Sequence, residues 1–274
     1  MKRNNLIRNT GWVFPFILLS LLVFITACDV RVIDSDDNVA NTNFFAAETF
    51  SFDLAVQNQT RLNLTAINGP VEVIGVAGAT TAKIFGERRV ESESAADAKA
   101  HLHELEVRVS DRQSEIVVNT IQPDNAHGRN YKVTYHLRIP NTWKFAVDHV
   151  NGTVTIDSLK NDVSLKVVNG NVQLREIFCS VTAELVNGQL TGKLWLPVQG
   201  TCKMTTVNGQ ILLNIPKATT ADFAASVTNG EISLANLSLH NSVSTPQSLR
   251  GKLGDGQGTI ALSTVNGNIS VSGF

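Results

Sequence analysis

The chain has 274 residues, a net charge of −1 and a pI near 6.6, so it carries no basic field of the kind that recruits nucleic acid. No basic run is interleaved with aromatic residues either, and a nucleic-acid partner is excluded on both counts. Setting the N-terminal segments aside leaves a body of roughly 230 residues, enough for one elongated domain or two ordinary ones.

The N-terminus reads as an export signal. Lys2, Arg3 and Arg8 form a basic start, and the apolar run "WVFPFILLSLLVF" (12–24) follows. It is shorter than the ~20 residues of a membrane span and is broken by Pro15. "ITAC" (25–28) resembles the bacterial lipobox, in which the cysteine thiol receives diacylglycerol and becomes the first mature residue. Residues 1–27 are therefore expected to be a lipoprotein signal peptide and Cys28 the lipidation site, anchored stably by its acyl chains. Asp29, directly after it, is the residue that in enteric bacteria favours retention in the inner membrane. Residues 28–47 are polar and acidic without periodicity and read as a flexible tether.

The body, 48–274, is marked by a repeated dipeptide. Asn68-Gly69, Asn151-Gly152, Asn169-Gly170, Asn187-Gly188, Asn208-Gly209, Asn229-Gly230 and Asn266-Gly267 each sit between alternating apolar residues. Six and four residues before the asparagine, and three and five after it, every position is apolar except Gly192. Three before it, every position is polar: Thr65, Asp148, Lys166, Glu184, Thr205, Ser226 and Ser263. This is a period-two pattern with one face inward.

The inward phase changes from even to odd offsets across Asn-Gly. A two-residue hairpin does that, and so does the corner of a coil. From Asn151 the asparagines step by 18, 18, 21, 21 and then 37 residues, spacing that favours stacked turns over independent hairpins. The long step reads as two repeats, the middle one degenerate, and the Asn266 rung then ends the stack, its open strand edge either capped by its own residues or met by a partner. The expected fold is all-β: a single-stranded β-solenoid of about 18–21-residue rungs, with glycine and asparagine both tolerating positive φ at the corner. Stacked asparagines are also able to form a hydrogen-bonded ladder.

Residues 83–135 interrupt the pattern. Here a strand runs into a helix signal capped by Ser94 or Ser92 and extending to about Leu105, followed by two strands, "SEIVVNTIQ" and "YKVTYHLRIP". This segment is expected to be a β-rich insertion with one short helix.

Chemistry is sparse. His101 and His103 are two apart and fall on different faces of a helix, unlike the i, i+4 pair of a zinc protease. "GKLGDGQG" (251–258) reads as a flexible loop. Asp148 and Glu184 are separated by Lys166 one repeat from each, so no carboxylate pair suits a glycan-active β-helix enzyme. No catalytic residue, metal ligand or cofactor is assigned. Cys179 and Cys202 are candidates for a disulfide in an oxidising envelope, or are two small buried apolar residues.

The rungs "VVNGNVQL", "LVNGQLTG", "TVNGQILL" and "SVTNGEISL", with "GDGQGTIALSTVNGNISVSG", resemble a bacterial envelope family known as "putative adhesins" with β-strand repeats. The resemblance covers residues 48–274. It implies a β-helical fold, an extracytoplasmic location and no established catalytic residues, and some relatives are associated with envelope-stress systems. The expected role is a non-enzymatic binding or structural module of the cell envelope, with an envelope protein or glycan as partner. The rival readings are an envelope-stress lipoprotein acting through a membrane partner and a glycan-active enzyme.

Overall fold

The computed structural model describes residues 31–32 and 44–274; Cys28 and the export segment lie outside the described residues. At each Asn-Gly the chain passes from one eleven-stranded sheet to another. The arm before the asparagine lies in what we call the leading sheet, and the arm after the glycine in the trailing sheet. One rung is Val163–Asn169 with Val172–Ile177. Its first arm pairs in parallel with Lys144–Asn151 and with Val181–Asn187, setting Asn151, Asn169 and Asn187 side by side. Its second arm pairs in parallel with Val154–Asp157 and Leu190–Leu194. Strands joined by a two-residue turn pair antiparallel. The two arms here belong to different sheets, so these corners are not hairpins and the body is a solenoid-like stack.

The order of stacking departs from the order of sequence. The Asn266 rung, Gly258–Asn266 with Ile269–Gly273, does not end the stack. It lies between the Asn208 rung (Thr201–Asn208, Ile211–Ile215) and the Asn229 rung (Ala221–Asn229, Ile232–Ala235), pairing in parallel with both. The 37-residue step therefore holds no degenerate rung. It holds an antiparallel hairpin, Leu239–Thr245 and Ser248–Leu253, which pairs with Ala221–Asn229 and covers that edge of the leading sheet. The open edge expected at the Asn266 rung is instead that of Ile232–Ala235 in the trailing sheet.

The interrupting segment closes the other end. Thr81–Ser92 pairs antiparallel with Phe44–Ala55 and with Asn130–Pro140, which in turn pairs in parallel with Val71–Val76 of the Asn68 rung. In the leading sheet Glu115–Ile121 covers Arg61–Asn68, and Glu106–Arg112 forms the edge. The helix Ala95–His101 is capped by Ser94, whose Oγ accepts from the Asp97 amide at 3.1 Å. Arg129 clamps Asp97 with two bonds of 2.7 and 2.8 Å, which holds that carboxyl far below the usual carboxylate range. Phe44–Ala55 starts ahead of the expected boundary at 48 because Ala46 and Ala47 already sit in the core, and Arg31–Val32 of the expected tether pairs with those two alanines.

The inward columns fill one continuous core. All the apolar corner-flanking positions are buried except Ile232 and Leu234, which are half-exposed because no further rung lies beyond them. At Gly192 the missing side chain is replaced by Met204, whose Cε lies 3.0 Å from where a β-carbon would stand.

Candidate binding face

Each corner is built from two contacts that the dipeptide supplies separately. The glycines take φ between +113° and +157°, and a β-carbon on Gly209 would fall 1.6 Å from the Gly188 carbonyl oxygen. Only glycine permits stacking this close. None of the seven asparagines has positive φ, so the expected conformational role for Asn is replaced by another. Its side chain donates along the stack: Asn151 to Asn68, Asn169 to Asn151, Asn187 to Asn169, Asn208 to Asn187, Asn266 to Asn208 and Asn229 to Asn266, at 2.7–2.9 Å. Asn68 completes the line by donating to the Tyr131 carbonyl at 3.0 Å. The amides all point one way, and the ladder confirms that the Asn266 rung is threaded between its neighbours.

Beside this ladder runs a second column, one position from the asparagines and outside the inward and polar offsets. The residue directly before each asparagine is β-branched: Ile67, Val150, Val168, Val186, Val207, Val265 and Thr228 in stacking order. It points out of the leading sheet. Val150, Val168, Val186, Val207 and Val265 are 39, 40, 39, 39 and 41% exposed. The next outward column holds Asp148, Lys166, Glu184 and Thr205, brought onto successive strands by the parallel register. Between the two columns lies a groove of about 430 Å³. An aliphatic stripe of this length, rimmed by charge, has the make-up of a recognition surface.

One buried group sits under the groove. His149 occupies an inward position, 2% exposed, where neighbouring rungs carry Ala66 and Val167. Neither ring nitrogen has a well-formed hydrogen bond, and Gly152 leaves the space that Nε2 uses. Burial lowers its pKa below the ordinary 6.5, the backbone of Ala66, Gly69 and Asn151 offsetting part of the effect.

Cys28 is outside the described residues. Cys179 and Cys202 are free thiols, both buried; Cys202 stands across from Val181 and Ile260, not from Cys179, and burial pushes both thiols up to about 12. They take the small-apolar role rather than the disulfide. Asp148 and Glu184 each lie one strand from Lys166, in one charged column. His101 bonds through Nδ1 to the Asp97 carbonyl at the end of its own helix, and His103 lies in the following 3-10 turn. "GKLGDGQG" begins as strand, not loop, because Gly251–Leu253 pair with Ala221–Phe223.

These features define an all-β domain of two open sheets, a stack of strand pairs with a patterned outer face. The Toastrack DUF4097 family model matches residues 22–272, and the chain belongs to that family, whose members are known as "putative adhesins". Among solved structures it is similar to a "putative cell adhesion protein" from Clostridium sporogenes, at 11% identity and a TM-score of 0.46, over 82% of this chain and 100% of that one. It is also similar to a "putative adhesin" from Bacteroides fragilis, at 12% identity and a TM-score of 0.34, over 82% of this chain and 97% of that one. No curated protein matches the chain.

Proposed function

We propose that this protein is a non-enzymatic binding module, displayed through a lipid on Cys28 at the outer side of a bacterial membrane, with the outer face of the leading sheet as its contact surface. The body is read as a single-stranded β-solenoid whose rungs repeat one surface motif at the ~4.8 Å strand spacing. The observation that carries the reading is the exposed column of Val150, Val168, Val186, Val207 and Val265, the first four of which line the groove. These residues add nothing to the core, and each leaves apolar area whose removal from water is worth ~25 cal/mol per Å². An envelope protein or glycan strand laid along the stack would meet aliphatic surface on one side and the Asp148–Lys166–Glu184 charges on the other.

The test is co-sedimentation of the chain with purified envelope fractions, membranes and cell-wall sacculi separately. Val168→Asp with Val186→Asp is expected to weaken binding at least tenfold while leaving the thermal midpoint within a few degrees. Undiminished binding by that variant would overturn the choice of face. For the anchor, Cys28→Ser is expected to release the protein from membranes or leave it unprocessed; a cleaved, membrane-bound variant would refute lipidation.

A further inference from the structure

The threading of the Asn266 rung creates a second feature on the same face, adjoining the valine groove at Thr205, which lines both. In the leading sheet Lys203 pairs with Ala261, Ala261 with Ala224, and Ala224 with Arg250, so these four residues form one row across four strands. All four point outward. Two long cationic side chains thus stand at either side of a floor of two alanines, their backbones three strand spacings apart, ~14 Å. The adjacent outward row is Thr205, Ser263, Ser226 and Ser248, four hydroxyls in register behind the alanines. Lys203, Arg250, the two alanines, Thr205, Ser226 and Ser263 bound a cleft of about 150 Å³, with room for a group of a few heavy atoms, and Ser248 lies just outside it.

The charges here are uncommitted. Among the described residues no carboxylate pairs with Lys203 or Arg250, whereas Asp222, the nearest acid on the side of Arg250, faces Lys252 at 3.8 Å. Glu184 stands opposite Thr205 on the adjoining strand, diagonal to Lys203, and among the described residues makes no ion pair with it. A guanidinium offers a planar fork of donors to an oxyanion, an ammonium offers a point charge, and hydroxyls donate to the remaining oxygens. The small floor lets the anion approach the sheet, which a row of larger residues would prevent.

We propose that this row is a binding site for a phosphate group, free or as the headgroup ester of an anionic phospholipid, held between Lys203 and Arg250 over Ala261 and Ala224 with the serine and threonine hydroxyls completing its shell. The site uses none of the valine column and stands or falls separately from it.

The experiment has two arms on the full chain: calorimetric titration with inorganic phosphate, and co-sedimentation with vesicles of phosphatidylcholine with and without phosphatidylglycerol. Each is run on the wild type, Lys203→Gln, Arg250→Gln and the double variant; the shared N-terminus cancels in the comparison. Both residues are exposed, so the variants are expected to melt with the wild type. Phosphate affinity that falls about tenfold for each substitution supports the site with free phosphate as ligand. Phosphatidylglycerol-dependent sedimentation lost in the double variant, without binding of inorganic phosphate, supports it with the lipid as ligand. Binding of neither, or binding that the double variant leaves unchanged, overturns it. The Val168→Asp, Val186→Asp variant is expected to bind phosphate as the wild type does, which separates this result from the fate of the groove.

Discussion

Gly209→Ala tests the physical basis of the corner. A methyl at this position falls 1.6 Å from the Gly188 carbonyl oxygen, less than half an ordinary contact, and the atom it meets is backbone that cannot rotate away. Three contributions add. Holding a non-glycine residue at φ +157° strains the backbone by ~1–2 kcal/mol. Overpacking in a fixed frame adds ~1–3 kcal/mol. Displacing the rung weakens the Gly209 amide bond to the Asn266 carbonyl, 2.8 Å, for a further ~0.5–1.5 kcal/mol. The expected loss is thus about 2.5–6.5 kcal/mol. Gly78→Ala is the matched control, because Gly78 also has positive φ, +65°, but its β-carbon would meet nothing within 4 Å. It is expected to lose only about 1 kcal/mol. Urea unfolding followed by circular dichroism, with the slope checked for constancy, measures both. If Gly209→Ala is no worse than Gly78→Ala, the stack is looser than described and the steric account of the repeated glycine is wrong.

Further outcomes follow from the same geometry. Asn169→Ala removes two ladder bonds and Asn229→Ala removes one, so their costs in urea unfolding are expected near 2 and 1 kcal/mol respectively; equal costs would argue against the ladder. His149 is buried with a lowered pKa, so below pH 6.5 the unfolded chain binds a proton that the folded chain refuses. Stability present above pH 6.5 is then lost as the pH falls towards the folded pKa, by at most ~1.4 kcal/mol per unit for one proton. Unfolding between pH 5 and 7 of His149→Val, which places the side chain of Val167 there, is expected to show a flatter profile. Cys179 and Cys202 are expected to resist an aromatic disulfide reagent at pH 8 in the native state and to react together in denaturant; rapid native labelling of either would contradict its burial.

Which parts of this molecule can be read from its residues follows from what each part depends on. The inward columns are legible because alternation is local, and seven copies let Gly192 stand out as the exception that Met204 repairs. The valine column is equally local, a β-branched residue before every asparagine, although the sequence reading did not draw on it. The division of labour at the corner is not legible, since a sequence shows Asn-Gly as one unit, while only stacking reveals that glycine accommodates the carbonyl and asparagine bonds to its neighbour. The placement of Gly258–Gly273 is harder still. Every rung presents the same apolar columns and the same asparagine to its neighbours, so residue pattern does not say which rung lies against which. The phosphate row inherits that difficulty, because Lys203 and Arg250 share a row only through Ala261 of the threaded rung.

That threading also shapes how the molecule assembles. Residues 201–215 and 221–235 emerge before 258–273, yet in the finished stack they are held two strand spacings apart by that later segment, ~9.6 Å. In the interval their facing edges present the same asparagine and the same apolar columns to each other, Asn208 and Asn229, that they later present to the rung between them. The chain therefore carries its own competitor, a shortened stack that closes early and leaves the last rung outside. A vacated slot of this kind accepts Gly258–Gly273 from a neighbouring molecule on the same terms as its own, which makes the segment a natural element for domain exchange.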